Sequence, residues 1–467
     1  MRLMKLNVIL VGCAIWLLSH PVLSETYEFA ARNYSEGKYE TAMTQFKELA
    51  KLGNKDAQYN VALMYLNGQG VKRNDLMGYA WMTLAASKGD INTLKVLANI
   101  DKVVDEKFKR KATDKYEQLA AVYGDATVSE NYYPRDTNGY HRIRHARLKK
   151  RGDMVYPRKA IALGASGKVV LEYSVGKDGR ARFQNALNDS ESSLIKSSVK
   201  SNQQNVYKPA SFADDSVDTY SSRFLYFFSI YGKNERGELA GYLTHLREGA
   251  ETGGGAARYA YAFYARAAQS SLSERSLDKH SDYNDWMLKA AVDGYPIAKY
   301  ELGASILYGE NCDSDPEKGE RWLLQAAKES VADGYLLLGL EYYRGIYFEQ
   351  DMEKGLKYIA QAADMGLESA KIHYAMKIVE SGDYNKESLS KARDYLKGIK
   401  EKKYLDKFTL FEVNAAIYSL AGDFKKALKY QKKALKKAKE LKTSVERNQN
   451  NLKKIQQKEA VTELYDV

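Results

Sequence analysis

A step of 36 residues constrains this chain more than any other feature of it. Trp286 and Trp322 stand 36 apart and Tyr358 follows at the same interval; the step also links Ala290-Ala291 to Ala326-Ala327 and Ala362-Ala363, Gly303 to Gly339, and Gly309 to Gly345. A fixed period of this size marks an array whose units bury their apolar faces by stacking on one another. An N-terminal copy keeps the same offsets in Ala57, Ala62, Gly68, Gly78, Trp81 and Ala85-Ala86. Each unit reads as two helices. Ala57, Val61 and Tyr65 recur every four residues, which places them on one helical face. Gly68 and Gly70 end that helix, and Asp75 is the expected N-cap of the second, whose Tyr79, Trp81, Met82, Ala85 and Ala86 supply bulk and close approach. A glycine inside a helix costs about 1 kcal/mol relative to alanine. Gly78, Gly319 and Gly355 therefore predict tight helix contacts that offset this cost.

The pattern Ala-x3-Leu-Gly-x2-Tyr-x2-Gly, then Gly-x2-Trp-x3-Ala-Ala, resembles the Sel-one-like repeat, a relative of the tetratricopeptide repeat. Ala298, Leu302, Gly303, Gly309, Trp322, Ala326 and Ala327 carry it in one copy, and Leu338, Gly339, Tyr342, Gly345, Tyr358, Ala362, Ala363 and Gly366 in the next. Residues 367–398 continue it loosely, 408–438 resemble a plain tetratricopeptide unit, and Ala30-Ala31, Tyr34, Gly37, Tyr39 and Ala42 open the array with a similar fragment. The resemblance implies a mainly α fold, an αα-repeat solenoid over residues 25–124 and 239–440, followed by a polar C-terminal tail, 441–467.

A segment of different character interrupts the repeats. Residues 125–154, with six Arg or Lys between Arg142 and Arg151, read as an exposed basic linker. From Lys168 to Val175 the sequence alternates in the manner of a strand, Lys177-Asp178-Gly179 is a hairpin turn, and a second strand covers about 180–187. Asp189-Ser190-Glu191 opens an amphipathic helix, which Tyr207-Lys208-Pro209-Ala210 stops. A last strand follows at about Thr219 to Tyr231, with Phe224, Tyr226 and Phe228 on one face and Arg223, Leu225, Phe227 and Ser229 on the other.

This order, with Tyr156-Pro157, Ala160, Gly164, Gly167, Asp178-Gly179, Leu194 and Tyr207-Lys208-Pro209-Ala210 at matching spacings, resembles the C-terminal domain of TonB energy transducers over residues 155–235. It departs from the family at Val206, where a tryptophan is usual, and at Leu194-Ile195 in place of Leu-Asp. The resemblance implies an α+β module that binds proteins, with TonB-dependent outer-membrane transporters as partners adding a strand beside its last strand. The residues expected to flank that segment are Arg223, Leu225, Phe227 and Ser229, with Tyr156 and Pro157 nearby. Two alternatives stand beside it: the repeats cover this edge, or the strand pairs in a homodimer. The proline-rich spanner of such transducers has no counterpart here, since the chain holds only 6 prolines.

Residues 1–24 have the plan of a secretory signal peptide: Arg2 and Lys5, an apolar run from Leu6 to Leu18, then Val22-Leu23-Ser24 before Glu25. Lipidation at Cys13 and an uncleaved anchor are the rival readings. All three place the bulk of the chain outside the cytoplasm, with the periplasm expected. Two cysteines exclude a disulfide framework, and cleavage leaves Cys312 alone. A formal charge of +12 permits an acidic partner; nucleic acid is not expected outside the cytoplasm. Nine lysines between Lys425 and Lys442 read as a solvated helix face, with contact with an anionic envelope surface or an acidic partner as the alternative.

Enzymatic motifs are missing from the sequence. No histidine lies in a metalloprotease pattern, and the pair His141 and His145 sits among cations that repel a metal ion. Gly253-Gly254-Gly255 lacks the preceding strand of a dinucleotide site, and neither a nucleophile elbow nor a phosphate loop occurs. No cofactor and no catalytic residue is expected.

Overall fold

The computed structural model describes residues 26–135, 143–188, 190–228, 235–268, 282–382 and 384–464. The 36-residue step appears in it as pairs of packed helices. The first members include α3 (Lys55–Asn67), α13 (Pro296–Tyr308) and α15 (Ala332–Arg344), and the second members α4 (Asp75–Ala86), α14 (Pro316–Lys328) and α16 (Met352–Asp364). Each first helix stops at a glycine in the left-handed region, Gly68, Gly309 and Gly345, with φ of +70°, +76° and +77°. The glycine N–H returns to the carbonyl four residues back, on Met64, Ser305 and Glu341 respectively. A side chain at such φ costs about 1–2 kcal/mol, which is why this column reads glycine. Asn74, Asp315 and Asp351 cap the second helices by accepting the N–H three residues on. The cap thus falls one residue before Asp75, which instead places its negative charge in the first turn of α4, where the helix dipole favours it. Gly339 and Gly355 face each other: a Cβ on either would lie 2.7 Å from the other's carbonyl oxygen.

The array continues through α17 (Glu368–Ser381), α18 (Lys386–Lys397), α19 (Lys407–Leu420) and α20 (Phe424–Leu441). Beyond it, the stretch expected as a polar tail folds into α21 (Val445–Gln456). Asn448, Asn451 and Ile455 recur at helical spacing and are buried, and Gln431 of α20 donates to the Asn448 side chain at 2.7 Å. A mostly polar helix is held here by its buried amides, so hydropathy alone does not reveal it.

At the other end, α1 (Tyr27–Ser35), α2 (Tyr39–Lys51), α5 (Ile91–Asp101), α6 (Glu106–Tyr123) and α7 (Asp125–Tyr132) complete the N-terminal array. It joins the C-terminal array directly in space. Tyr27 N–H donates to the Asp293 carbonyl at 3.0 Å and the Asn54 amide to the Val292 carbonyl at 3.3 Å, at the end of α12 (Tyr283–Val292). On α14, Trp322 Nε1 donates to the Tyr132 carbonyl at 2.7 Å, and Lys318 Nζ to the Tyr133 carbonyl at 2.9 Å.

Between the arrays lies the strand-bearing module. Its three-stranded antiparallel sheet has the order β3 (Ala181–Ala186), β2 (Gly167–Val175), β7 (Thr219–Phe228). Helix α9 (Ser192–Gln204) covers one face, where Val169, Leu171, Leu194, Tyr226 and Phe228 form a core, and the short α8 (Arg158–Ala162) precedes β2. The basic linker expected over 125–154 is in part a folded segment. It begins with α7 and holds β1 (Arg147–Lys150), which pairs antiparallel with β4 (Val206–Lys208). All four β1 residues stay exposed, so pairing its backbone does not desolvate its cations. Strands β5 (Ala210–Phe212) and β6 (Asp215–Val217) form a small hairpin, and α10 (Glu235–Thr252) with α11 (Gly255–Ala268) leads back into the repeats.

Candidate protein-binding site

The two faces of β7 have different neighbours. Phe224, Tyr226 and Phe228 pack toward α9, while Val170 and Leu225 turn into a core shared with Leu239, Leu243, Tyr261 and Phe263 of the repeat helices. Arg223 lies on this second face, opposite Glu172 in the β2–β7 register. Its guanidinium bridges Glu172, at 3.2 Å, and Glu301 of α13, and Arg266 of α11 joins Glu301 at 2.8 Å and also meets Glu310. The side chains of Arg223, Glu301 and Arg266 are 5%, 2% and 8% exposed. Burial works against the Arg223 charge, but Glu301 and Glu172 outweigh it and hold its pKa well above the ordinary guanidinium value. The Phe263 ring lies 5.4 Å from the guanidinium.

The opposite edge of the sheet is anchored by other chemistry. Where the β2–β3 register shifts, Phe183 takes φ of +54° and stacks on His373 of α17, with ring centroids 3.6 Å apart. Its N–H donates to Asp406 Oδ2 at 2.8 Å, and Asp406, itself buried, caps α19 through Thr409. Burial and the nearby Lys377 hold the His373 pKa well below its usual value, so the imidazole is neutral. Between the two anchors, the Arg344 guanidinium of α15 sits 5.3 Å from the Tyr220 ring and contacts the Asp218 carbonyl. α11, α13, α15, α17 and the cap of α19 all contribute, so the sheet lies on the face that the first helices share.

These positions revise the expected site. Arg223 and Leu225 are inside the molecule, tied to the repeats, and offer no side chain to a partner. Phe227 is partly buried, with Lys168 Nζ 5.8 Å from its ring. Tyr156 lies edge-on to Phe228 at 5.4 Å and its hydroxyl donates to the Ala165 carbonyl at 2.6 Å, and Pro157 stands at the N-cap of α8. Ser229 lies outside the described residues. The structure therefore brings Tyr156 and Pro157 to the Phe227–Phe228 end of β7 and separates them from Arg223. Tyrosines of the repeat helices are engaged within the array as well. Tyr308 donates to Glu341 at 2.8 Å, Tyr342 to Glu320 at 2.6 Å and Tyr343 to the Lys377 carbonyl at 3.3 Å, while Tyr65 accepts from Lys47 at 3.1 Å. Sequence reasoning missed Phe183, His373 and Asp406, because their meeting spans more than 180 positions and leaves no local pattern.

A cavity of about 80 Å³ lies beside the start of β7, lined by Ile143, Ala146, Tyr220, Tyr308, Arg344 and Tyr347. That volume suits a few waters rather than a substrate. Among the described residues no cluster of His, Cys, Asp or Glu could hold a metal ion, and no helix is long and apolar enough to cross a membrane.

The Sel1 repeat model matches residues 55–90, 296–331 and 332–367, and the model of the Gram-negative bacterial TonB protein C-terminal matches 153–226. The chain carries three Sel1 repeats and, between the first and the second, a TonB C-terminal domain. Both modules belong to non-catalytic interaction families that mediate protein–protein contacts. A Sel1 repeat protein from Oxalobacter formigenes is similar at 14% identity over 88% of this chain and 98% of that one, with a TM-score of 0.33. A protective antigen of uropathogenic Escherichia coli with an SLR fold is similar at 13% identity over 94% and 95%, with a TM-score of 0.21. No curated protein matches the chain. In the TonB-type domain, β7 is the last strand of the sheet order; in the helical array, the first helices carry the anchors of that domain.

Proposed function

We propose that this protein is a non-enzymatic adaptor of the Gram-negative cell envelope, exported to the periplasm, whose TonB-type domain binds an extended segment of a partner such as an outer-membrane transporter. The observation that carries this reading is the end position of β7 in a sheet that matches the TonB C-terminal model. A segment adding there runs past Phe227, close to Tyr156 and Pro157, while buried Arg223 and Leu225 fix the strand on the repeats. The exposed lysines of α20, among them Lys425, Lys432 and Lys436, supply electrostatic contact with anionic envelope surfaces.

A second reading is a periplasmic repeat scaffold in which the Sel1 repeats hold the partner and the TonB-type domain is structural. The burial of Arg223, Leu225 and Phe183 against the repeats favours it. Phe227→Pro separates the two. Capture of partners from envelope extracts is lost under the first reading and kept under the second, with near-UV circular dichroism showing that the variant is folded. Pairing of β7 in a homodimer is read in the same samples by analytical ultracentrifugation, as a dimer that Phe227→Pro dissociates.

A further inference from the structure

Residues 147–163 run along the surface of the TonB-type domain, and they expose two kinds of side chain. Leu148, Met154, Val155, Ile161 and Leu163 are 39%, 43%, 62%, 52% and 63% exposed. Large apolar residues gathered on one surface segment mark a contact site. Cations stand between them: Arg147, Lys149 and Lys150 on β1, and Arg158 in α8, all exposed. Helix α9 extends the same surface. The Ser197 hydroxyl donates to the Val155 carbonyl, and Gly152 N–H to Asn205 Oδ1 at 2.7 Å, which brings exposed Lys196 and Lys200 beside the apolar residues. Two carboxylates lie here. Asp153 is exposed, and Glu191 is occupied by Lys159 at 3.3 Å and by the first N–H groups of α9.

We propose that this face docks on an anionic lipid surface. Side chains this exposed stand out from the fold rather than line a cleft, so they suit a soft, laterally continuous partner better than a peptide. Long lysine and arginine stems let the charges reach a phosphate layer while the apolar tips enter the acyl boundary. The anchors to the repeats, Arg223 and Phe183, do not use this surface, so docking leaves them intact. The inference is independent of which protein meets β7.

The test is co-sedimentation of the full chain with vesicles of phosphatidylglycerol and phosphatidylethanolamine, against vesicles of phosphatidylcholine alone. Binding is expected to the anionic vesicles only, weakening as salt rises. Lys149→Gln with Lys150→Gln lowers the affinity about thirty-fold, taking each cation near the surface at its usual worth. Ile161→Ser with Leu163→Ser lowers it about tenfold or more. All four positions are exposed, and unchanged thermal melting shows that the variants fold. The proposal is overturned if anionic vesicles do not bind the protein, or if binding survives these changes and is lost instead with Lys432→Gln and Lys436→Gln on α20. It is overturned equally if a photo-crosslinker at position 161 captures an acidic protein and no lipid.

Discussion

The two edges of one small sheet are fastened to the same repeat array by opposite means. On the β7 side, Arg223 enters a chain of buried charges, Glu172–Arg223–Glu301–Arg266–Glu310. On the β3 side, a single aromatic ring at an unfavourable φ stacks on a neutral histidine and gives its N–H to a buried carboxylate. The charged clasp specifies its partners, because any displacement strands a buried ion. The aromatic plug gains most from area and tolerates backbone strain to reach it. Buried ion pairs add little net stability compared with apolar replacements, yet breaking one is costly. The clasp is therefore better suited to fixing where the sheet sits, and the plug to how firmly it is held.

The largest effect expected comes from Glu301→Ala, which leaves Arg223 and Arg266 buried around an empty centre. A loss of about 3–5 kcal/mol is expected in chemical denaturation. A loss below about 1 kcal/mol would mean that the clasp is wet and contributes no placement. Phe183→Ala comes next, at about 3 kcal/mol for the lost ring. Phe183→Gly sharpens the comparison, because glycine accepts φ of +54° and alanine does not. In this position glycine is expected to be no worse than alanine, reversing their ordinary order within a strand.

A pH experiment then isolates the clasp. Asp333, at the start of α15, has its pKa pushed up to about 7, chiefly by burial and then by Glu172 and Glu301. The folded protein keeps this proton up to about pH 7 while the unfolded chain releases it near pH 4, so the contribution is present below about pH 4 and lost as pH rises through 7. Asp333→Asn should flatten the decline in stability between pH 5 and 8 by about 2 kcal/mol, seen in melts across that range. The same substitution leaves the Phe183 side unchanged. The smallest effect is a rate. Cys312 is buried and its thiol is pushed up to about 12, first by burial and then by Glu310. Thiol labelling should stay slow in wild type and quicken in Glu301→Ala more than in Phe183→Ala, because Cys312 belongs to the clasp-side core.

Much of this architecture was legible because repeats and hairpins write local patterns. Gly68, Gly309 and Gly345 announce left-handed helix ends, and Asp178-Gly179 the turn between β2 and β3. The alternation in β7 separated its two faces, but only the fold tells which face the repeats take. β1 escaped notice because its partner strand lies more than 50 residues on and its side chains stay in water. α21 escaped because Asn448 and Asn451 are buried through hydrogen bonds, which periodicity of apolar residues does not record. For the candidate site, the TonB-like motif placed Tyr156 and Pro157 beside the end of β7. It gave no sign that Arg223 would be consumed by a carboxylate, Glu301, 78 residues further along.

The bonds from Tyr27 and Asn54 to the end of α12 span 238 residues or more of chain. Contacts of such separation form slowly, since the intervening chain must be ordered before they gain anything. The N-terminal helices, whose Ala30, Phe46 and Trp81 share a core of their own, can thus pack early but gain these last bonds only once α12 exists. A chain folding in order of synthesis therefore holds one face of its N-terminal array uncovered until a surface made some 240 residues later has emerged.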